Sequence, residues 1–297
     1  VKYASHLNAG DRPRVDFDQL APYEIPLPNL DDQRRIVAEI EKQFSRLDDA
    51  VASLKRVKAN LKRYKAAVLK AAVEGRLVPT EAELARREGR TYEPGARLLQ
   101  EIIKEQRSRR KGNSPAAPAS SKHGDLPDGW AWCTVDQLAK VGTGATPKRD
   151  RAMFYDGGNI PWVTSAAVNN SCVEQASQFV TPKALAETNL TLYPAGTLLV
   201  AMYGEGKTRG KCAELRIAAT TNQALAALQT PGAIKGYLKI FLQHNYEETR
   251  KVASGGVQPN LNLSLVRAIS VPLPPLAEQH RIVAEVDRRL SIVREVE

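Results

Sequence analysis

The sequence has few of the residues from which metal centres, disulfide frameworks and nucleophilic sites are built. Its three cysteines, Cys133, Cys172 and Cys212, are odd in number and far apart, with no Cys-x-x-Cys pair and no histidine cluster near them. That pattern fits a reducing cytoplasm and argues against a disulfide scaffold or structural zinc. The histidines, His6, His123, His244 and His280, assemble no Ser/His/Asp or Cys/His set. Asp136, Asp150 and Asp156 lack the paired arrangement that a nuclease or metal site needs. Aromatic residues make up 6%, and Trp130, Trp132 and Trp162 each neighbour apolar residues, as packing anchors do and stacking platforms do not. No apolar run approaches the roughly 20 residues of a membrane helix, and no signal peptide opens the chain. The first residue is Val1, not Met, so we expect a portion of a longer protein.

What is present in excess is positive charge. Lys and Arg outnumber Asp and Glu by 43 to 33, a net charge of +10 over 297 residues. This favours a polyanionic partner such as nucleic acid, although a solvated basic surface without a partner has the same charge. The chain is long enough for two or three structural units, and 42% hydrophobic with 26% charged residues is ordinary for a soluble protein.

The organising feature is an internal repeat. "IPLPNLDDQRRIVAEIE" (Ile25–Glu41) recurs without gaps as "VPLPPLAEQHRIVAEVD" (Val271–Asp287), a displacement of 246 positions, and ten of the seventeen pairs are identical. Upstream the match fades but Pro13 still pairs with Pro259. Solenoid repeats have periods of roughly 20–50 residues, so a repeat this long reads as a duplicated domain plus helix. Each copy passes from a Pro-punctuated extended stretch into a helical pattern. In the first, the apolar seam is Val37, Ile40, Phe44, Leu47, Val51 and Leu54, in heptad spacing. After Leu54 the stripe moves to Val57, Leu61, Tyr64 and Val68, which implies a change of neighbour along the rod. Gly75 and Pro79 predict its end, giving a helix of roughly 60 Å over 32–74. The second copy repeats the seam at Val283, Val286, Leu290 and Val293. Between Ala50 and Val73 the first helix carries Lys55, Arg56, Lys58, Lys62, Arg63, Lys65 and Lys70 and no acid, which suits a solvated face as well as a surface near phosphates or an acidic partner.

Beyond the first helix, "GARLLQEIIKEQ" predicts a short amphipathic helix, and the following "RSRRKGNSPAAPASSKHGD" has linker composition. From Leu126 to Ser270 short apolar runs alternate with turn residues. Strands are predicted at "IPWVTS", "GTLLVAMYG", "LRIAAT" and "AISVPLP", and helices at "TVDQLAKV", "TPKALAET" and "IKGYLKIFLQHN". This is an α+β domain of the usual size for one core.

"AMYGEGKT" (Ala201–Thr208) fits the loosest phosphate-loop pattern. Such a loop needs a βαβ context and a later strand ending in a magnesium-binding Asp, and neither "ALAALQT" nor "YLKIFLQHN" supplies one. Gly204, Gly206 and Gly210 with Lys207, Arg209 and Lys211 remain suited to a phosphate, more readily that of DNA.

Four motifs carry a specific resemblance: the repeated "PLP..L..Q.RIVAE", the helix end "LKAAVEGRLVP", "LPDGWAWCTVDQLAKVGTGATPKRD" and "FYDGGNIPWVTSAAV". Together, and in this order, the sequence resembles the specificity subunit of type I restriction-modification enzymes. The resemblance implies an α+β target-recognition domain of mixed helices and a small twisted sheet, flanked by long helices that pair as an antiparallel coiled coil. It divides the chain into the end of a first recognition domain (1–29), the first conserved helix (30–79), a short helix and basic linker (80–124), a second recognition domain (125–270) and the start of a second conserved helix (271–297). The body of the first recognition domain and most of the second helix are lacking.

The resemblance further implies a cytoplasmic, non-catalytic subunit that binds double-stranded DNA, two modification (methyltransferase) subunits and, through the complex, restriction (motor-nuclease) subunits, with no membrane. This chain would hold no cofactor; S-adenosylmethionine, ATP and magnesium belong to the partner subunits of an adenine-specific methyltransferase and ATP-dependent endonuclease. Base and phosphate contacts require Arg, Lys, Asn, Gln and hydroxyl groups on polar loops. The candidates are Lys148, Arg149 and Arg151; Tyr203, Lys207, Thr208, Arg209 and Lys211; Asn222 and Gln223; and Gln258 and Asn260. Two other readings are a methyltransferase in its own right, which would need a Gly-rich cofactor loop and an Asn-Pro-Pro-aromatic tetrad that the sequence does not contain, and a coiled-coil scaffold without sequence reading.

Overall fold

In a computed structural model of the chain, residues 21–22, 24–109, 124–203, 208–246 and 261–296 are described. The chain divides into two compact units, Val1–Asn60 and Leu61–Glu297. The described part of the first unit is helical: α1 (Leu30–Val73) starts there and continues into the second unit. Asn29 opens α1, its side chain accepting from the Asp32 amide at 2.9 Å. Gly75, at a φ of 69°, takes the left-handed conformation that ends the helix, as expected from its place before Pro79.

The second unit holds the remaining elements. After α1 come α2 (Glu81–Glu88) and α3 (Gly95–Arg109). Then follow β1 (Ala131–Thr134), α4 (Val135–Leu138), β2 (Lys140–Thr143), β3 (Ile160–Val163), β4 (Cys172–Val173), β5 (Gln178–Val180), α5 (Pro182–Glu187) and β6 (Leu198–Ala201). The last are β7 (Cys212–Leu215), β8 (Thr220–Thr221), β9 (Leu225–Gln229), α6 (Gly232–His244), α7 (Leu263–Arg267), β10 (Ser270–Leu273) and α8 (Leu276–Val296). Among the described residues three sheets form, in the orders β1-β10, β2-β9-β6-β7-β4 and β5-β3-β8. The fold is therefore α+β, with a long N-terminal helix and small mixed sheets.

The five-stranded sheet is buried on both faces. Leu198, Val200, Cys212, Ala226 and Leu228 face one core, and Leu199, Ala201, Ala213, Leu215 and Ala227 face another. The first core joins the sheet to Tyr237, Leu238 and Phe241 of α6, to Ile282, Val286, Leu290 and Val293 of α8, and to Val68, Leu69, Ala72 and Val73 at the end of α1. Of the second copy of the heptad seam, Val286, Leu290 and Val293 are buried in this core and Val283 is half-buried. Val283 lies against α6, where a Cβ at Gly236 would come within 3.0 Å of it. Glycine there permits close helix approach.

The two copies of the repeat begin alike. Gln33 donates through Nε2 to the Pro28 carbonyl at 2.6 Å, and Gln279 does the same to Pro274 at 2.8 Å. The second copy is then locked in by its neighbours. Glu278, fully buried, accepts from the Trp130 indole at 3.0 Å and from the Glu81 amide at 2.8 Å. Burial raises its pKa, opposed by those two hydrogen bonds. Arg281 pairs with Glu81 at 2.7 Å. In the first unit, Val37, Ile40, Phe44, Leu47, Val51 and Leu54 are exposed.

Several elements differ from the sequence reading. "TVDQLAKV" is helical only over Val135–Leu138, because Thr134 and Gln137 close a capping box and Lys140 already belongs to β2. "LRIAAT" contributes only Leu215 to β7 and Thr220 to β8, and turns between them. α2 was not anticipated, yet Thr80 and Glu83 cap it with the Ser/Thr-x-x-Glu signature.

Candidate functional site

The register of the five-stranded sheet brings most of the candidate residues to one end. Thr143, which ends β2, is opposite Ala226 of β9. Ala201, which ends β6, is opposite Leu225, and Cys212, which starts β7, is opposite Val200. β4 runs parallel to β7, so the residues that precede Cys172 emerge at the same end. Four polar stretches gather there: 144–151, 169–171, 202–203 with 208–211, and 222–224.

Segment 144–151 is built against the next one. The Ala145 amide donates to the Thr221 carbonyl at 3.0 Å, and a Cβ on Gly144 would fall 1.6 Å from that same oxygen. Only glycine allows this approach. The Thr146 hydroxyl lies 2.5 Å from Gln223 Oε1. Lys148, Arg149 and Arg151 are exposed, and aromatic rings restrain two of them. The Arg149 guanidinium lies 6.0 Å from the centroid of Trp162 and that of Arg151 5.7 Å from Phe154. Trp162 is buried and donates to the Ala145 carbonyl at 3.1 Å, so it anchors the loop from beneath. Trp130 is likewise buried, and Trp132 is half-buried.

β6 and β7 pair antiparallel, and Thr208–Lys211 lead directly into β7. A phosphate loop would instead open a helix, so the context excludes that reading. The amides of Met202 and Tyr203 donate to the Ala224 carbonyl, which sets Tyr203 beside Asn222 and Gln223. Thr208, Arg209 and Lys211 are half-buried on the other side, next to Asn169. Lys211 Nζ donates to Asn169 Oδ1 at 2.8 Å and the Thr208 hydroxyl reaches it at 3.4 Å. Asn222 Oδ1 accepts from the Ala224 amide at 3.1 Å. Lys207, Gln258 and Asn260 lie outside the described residues.

Asn169, Asn170 and Thr146 were missed. "VNN" follows the apolar run "IPWV" much as "TNQ" follows "IAAT", which was the available signal. Behind the site, Glu214 ties β7 to α6 through Lys235 at 2.8 Å and Lys239 at 3.1 Å. Burial opposes its ionisation, but hydrogen bonds and charge from the two lysines outweigh this and hold the carboxyl below its ordinary value.

Features that would support catalysis are sparse. Burial pushes the Cys212 thiol up to about 12 and raises that of Cys133 further, which removes both as nucleophiles. Asp136 is engaged by Arg267 at 3.7 Å. Among the described residues no group of three or more His, Cys, Asp or Glu could hold a metal, and no helix is long and apolar enough to cross a membrane.

Known proteins are similar to this chain in sequence and fold. The specificity subunit of the Escherichia coli type I restriction enzyme EcoR124I/EcoR124II is 22% identical over 161 residues, covering 53% of this chain and 40% of the relative. The MjaIX specificity subunit of Methanocaldococcus jannaschii is 28% identical over 165 residues, covering 54% and 37%. This chain therefore matches about two fifths of the length of these curated relatives. The crystal structure of the HsdS subunit from Thermoanaerobacter tengcongensis superposes with a TM-score of 0.52 at 19% identity, over 98% of this chain and 59% of that one. A structure describing complex assembly and conformational transition of the type I R-M system gives 0.53 at 21% identity, over 92% and 55%. The family described as the type I restriction modification DNA specificity domain matches residues 127–291, more than half of the sequence, and the chain belongs to that family.

Proposed function

We propose that this chain is the part of a specificity subunit that reads one half of a bipartite duplex DNA site and places the partner subunits of a type I restriction-modification complex on it. The observation that carries this reading is the gathering of four donor-rich segments at one end of a rigid sheet. A sheet buried on both faces holds the loops still, and restrained cations suit phosphates and base edges. In this reading 125–270 is the second recognition domain, as the resemblance implies.

The exposed seam Val37–Leu54 is the surface on which α1 pairs antiparallel with a second conserved helix, and the paired rod sets the distance between half-sites and docks the two modification subunits. The chain itself is non-catalytic. S-adenosylmethionine, ATP and magnesium act in the modification and restriction subunits, and the complex works in the cytoplasm.

A binding assay with the modification subunit and a pool of random duplexes tests this. Recovery of a defined sequence is the expected result. Binding without sequence selection would instead identify a scaffold or a non-specific DNA-binding module.

A further inference from the structure

Four carboxamides, Asn169, Asn170, Asn222 and Gln223, occupy the loop end of the five-stranded sheet, and the oxygens of Asn169 and Asn222 accept from groups that can only donate. Asn169 Oδ1 faces Lys211 Nζ at 2.8 Å, and an ammonium has only hydrogens to offer, so the oxygen must point inward. Asn222 Oδ1 faces the Ala224 amide at 3.1 Å, again a pure donor. Gln223 Oε1 lies 2.5 Å from the Thr146 hydroxyl. No acceptor engages the NH2 groups of Asn169, Asn222 and Gln223 among the described residues, and Asn169 and Gln223 are exposed.

This orientation matters for base readout. A carboxamide reads adenine with both its ends, donating to N7 and accepting from N6. At Asn169 the oxygen accepts from Lys211 Nζ and from the Thr208 hydroxyl, which occupies both lone pairs and closes that pairing. What remains is donation, and the neighbouring Lys148, Arg149, Arg151 and Lys211 add donors of the same kind. In the major groove, guanine presents two adjacent acceptors, O6 and N7. Asp150, an exposed carboxylate in these segments, suits the N4 amino group of the paired cytosine.

We infer that this domain reads a guanine-bearing half-site through the major groove, with Asn169 as a specificity-determining donor whose orientation Lys211 fixes. The inference rests on the reading of the chain as a sequence-selective DNA-binding protein.

The test is selection of bound duplexes from a randomised pool by the full chain, wild type and Asn169→Asp. The aspartate keeps one oxygen for Lys211 and turns the other, an acceptor, outward. Wild type is expected to recover a motif containing guanine at a position where the variant shifts preference about ten-fold toward a base with a donor edge, cytosine or adenine. Replacing that guanine by 7-deazaguanine, which lacks the N7 acceptor, should weaken wild-type binding several-fold. The inference is overturned if the variant leaves the motif unchanged or weakens all sequences equally, if the position that shifts is not guanine in the wild type, or if 7-deazaguanine has no effect. A wild-type chain that recovers no motif overturns the underlying reading as well, which separates the two failures.

Discussion

At the scale of single residues, a close backbone contact joins two segments of the site. Gly144 stacks the 144–151 segment on Thr221, with no room for a Cβ. Gly144→Ala must push the segment outward, dragging Lys148, Arg149 and Arg151 away from Asn222 and Gln223. The overpacking costs roughly 1–3 kcal/mol. We expect a modest drop in melting temperature and at least a ten-fold loss of affinity for the selected duplex, read by calorimetry and fluorescence anisotropy. An unchanged affinity would show that the two segments act separately. The residue types that form the site were legible, since Lys, Arg, Asn and Gln on loops between apolar runs are visible in any sequence. The side-chain orientations were not. Nothing local to "VNN" says that Asn169 meets Lys211, because that contact depends on the parallel pairing of β4 with β7, far apart in sequence.

Whole elements were legible where periodicity and punctuation agreed. α1, α3, α6 and α8 follow the 3.6-residue pattern, and Gly75 ends α1 where expected. β9 was hidden, because "LAALQ" is buried on both faces and so lacks the alternation that marks a half-exposed strand. The repeat gives the sharpest comparison. Phe44 and Leu290 occupy equivalent positions, 246 residues apart, yet Phe44 is 61% exposed and Leu290 5%. Identical motif positions have different energetics because only the second is covered, by α6 and the domain core. Leu290→Ala should therefore destabilise the chain by about 2–5 kcal/mol, the usual range for a buried leucine. Phe44→Ala should change stability by less than about 0.5 kcal/mol, as at exposed sites generally. Urea denaturation of both variants checks the pair, and equal losses would mean that the first seam is also covered in solution.

For the whole molecule, the proposed rod converts chain length into DNA length. One heptad of helix spans about 10.5 Å, at about 1.5 Å per residue. Duplex DNA advances roughly 34–36 Å per 10–10.5 base pairs, so that length corresponds to about three base pairs. Deleting one heptad between Val37 and Leu54, with the matching heptad of the partner helix, keeps the seam in register and preserves the cover of each apolar residue. It should shorten the non-specific spacer of the methylated site by about three base pairs and leave both half-site sequences unchanged. The recognition loops keep their own supports in this variant, because the interactions at Thr221, Trp162 and Lys211 all lie within the second unit. Methylome sequencing of cells that carry the assembled complex reads spacer and half-sites independently. A shorter spacer with intact half-sites is the outcome expected of a ruler. An unchanged spacer would assign the spacing to the modification subunits, and altered half-sites would mean that the helices shape the reading loops themselves.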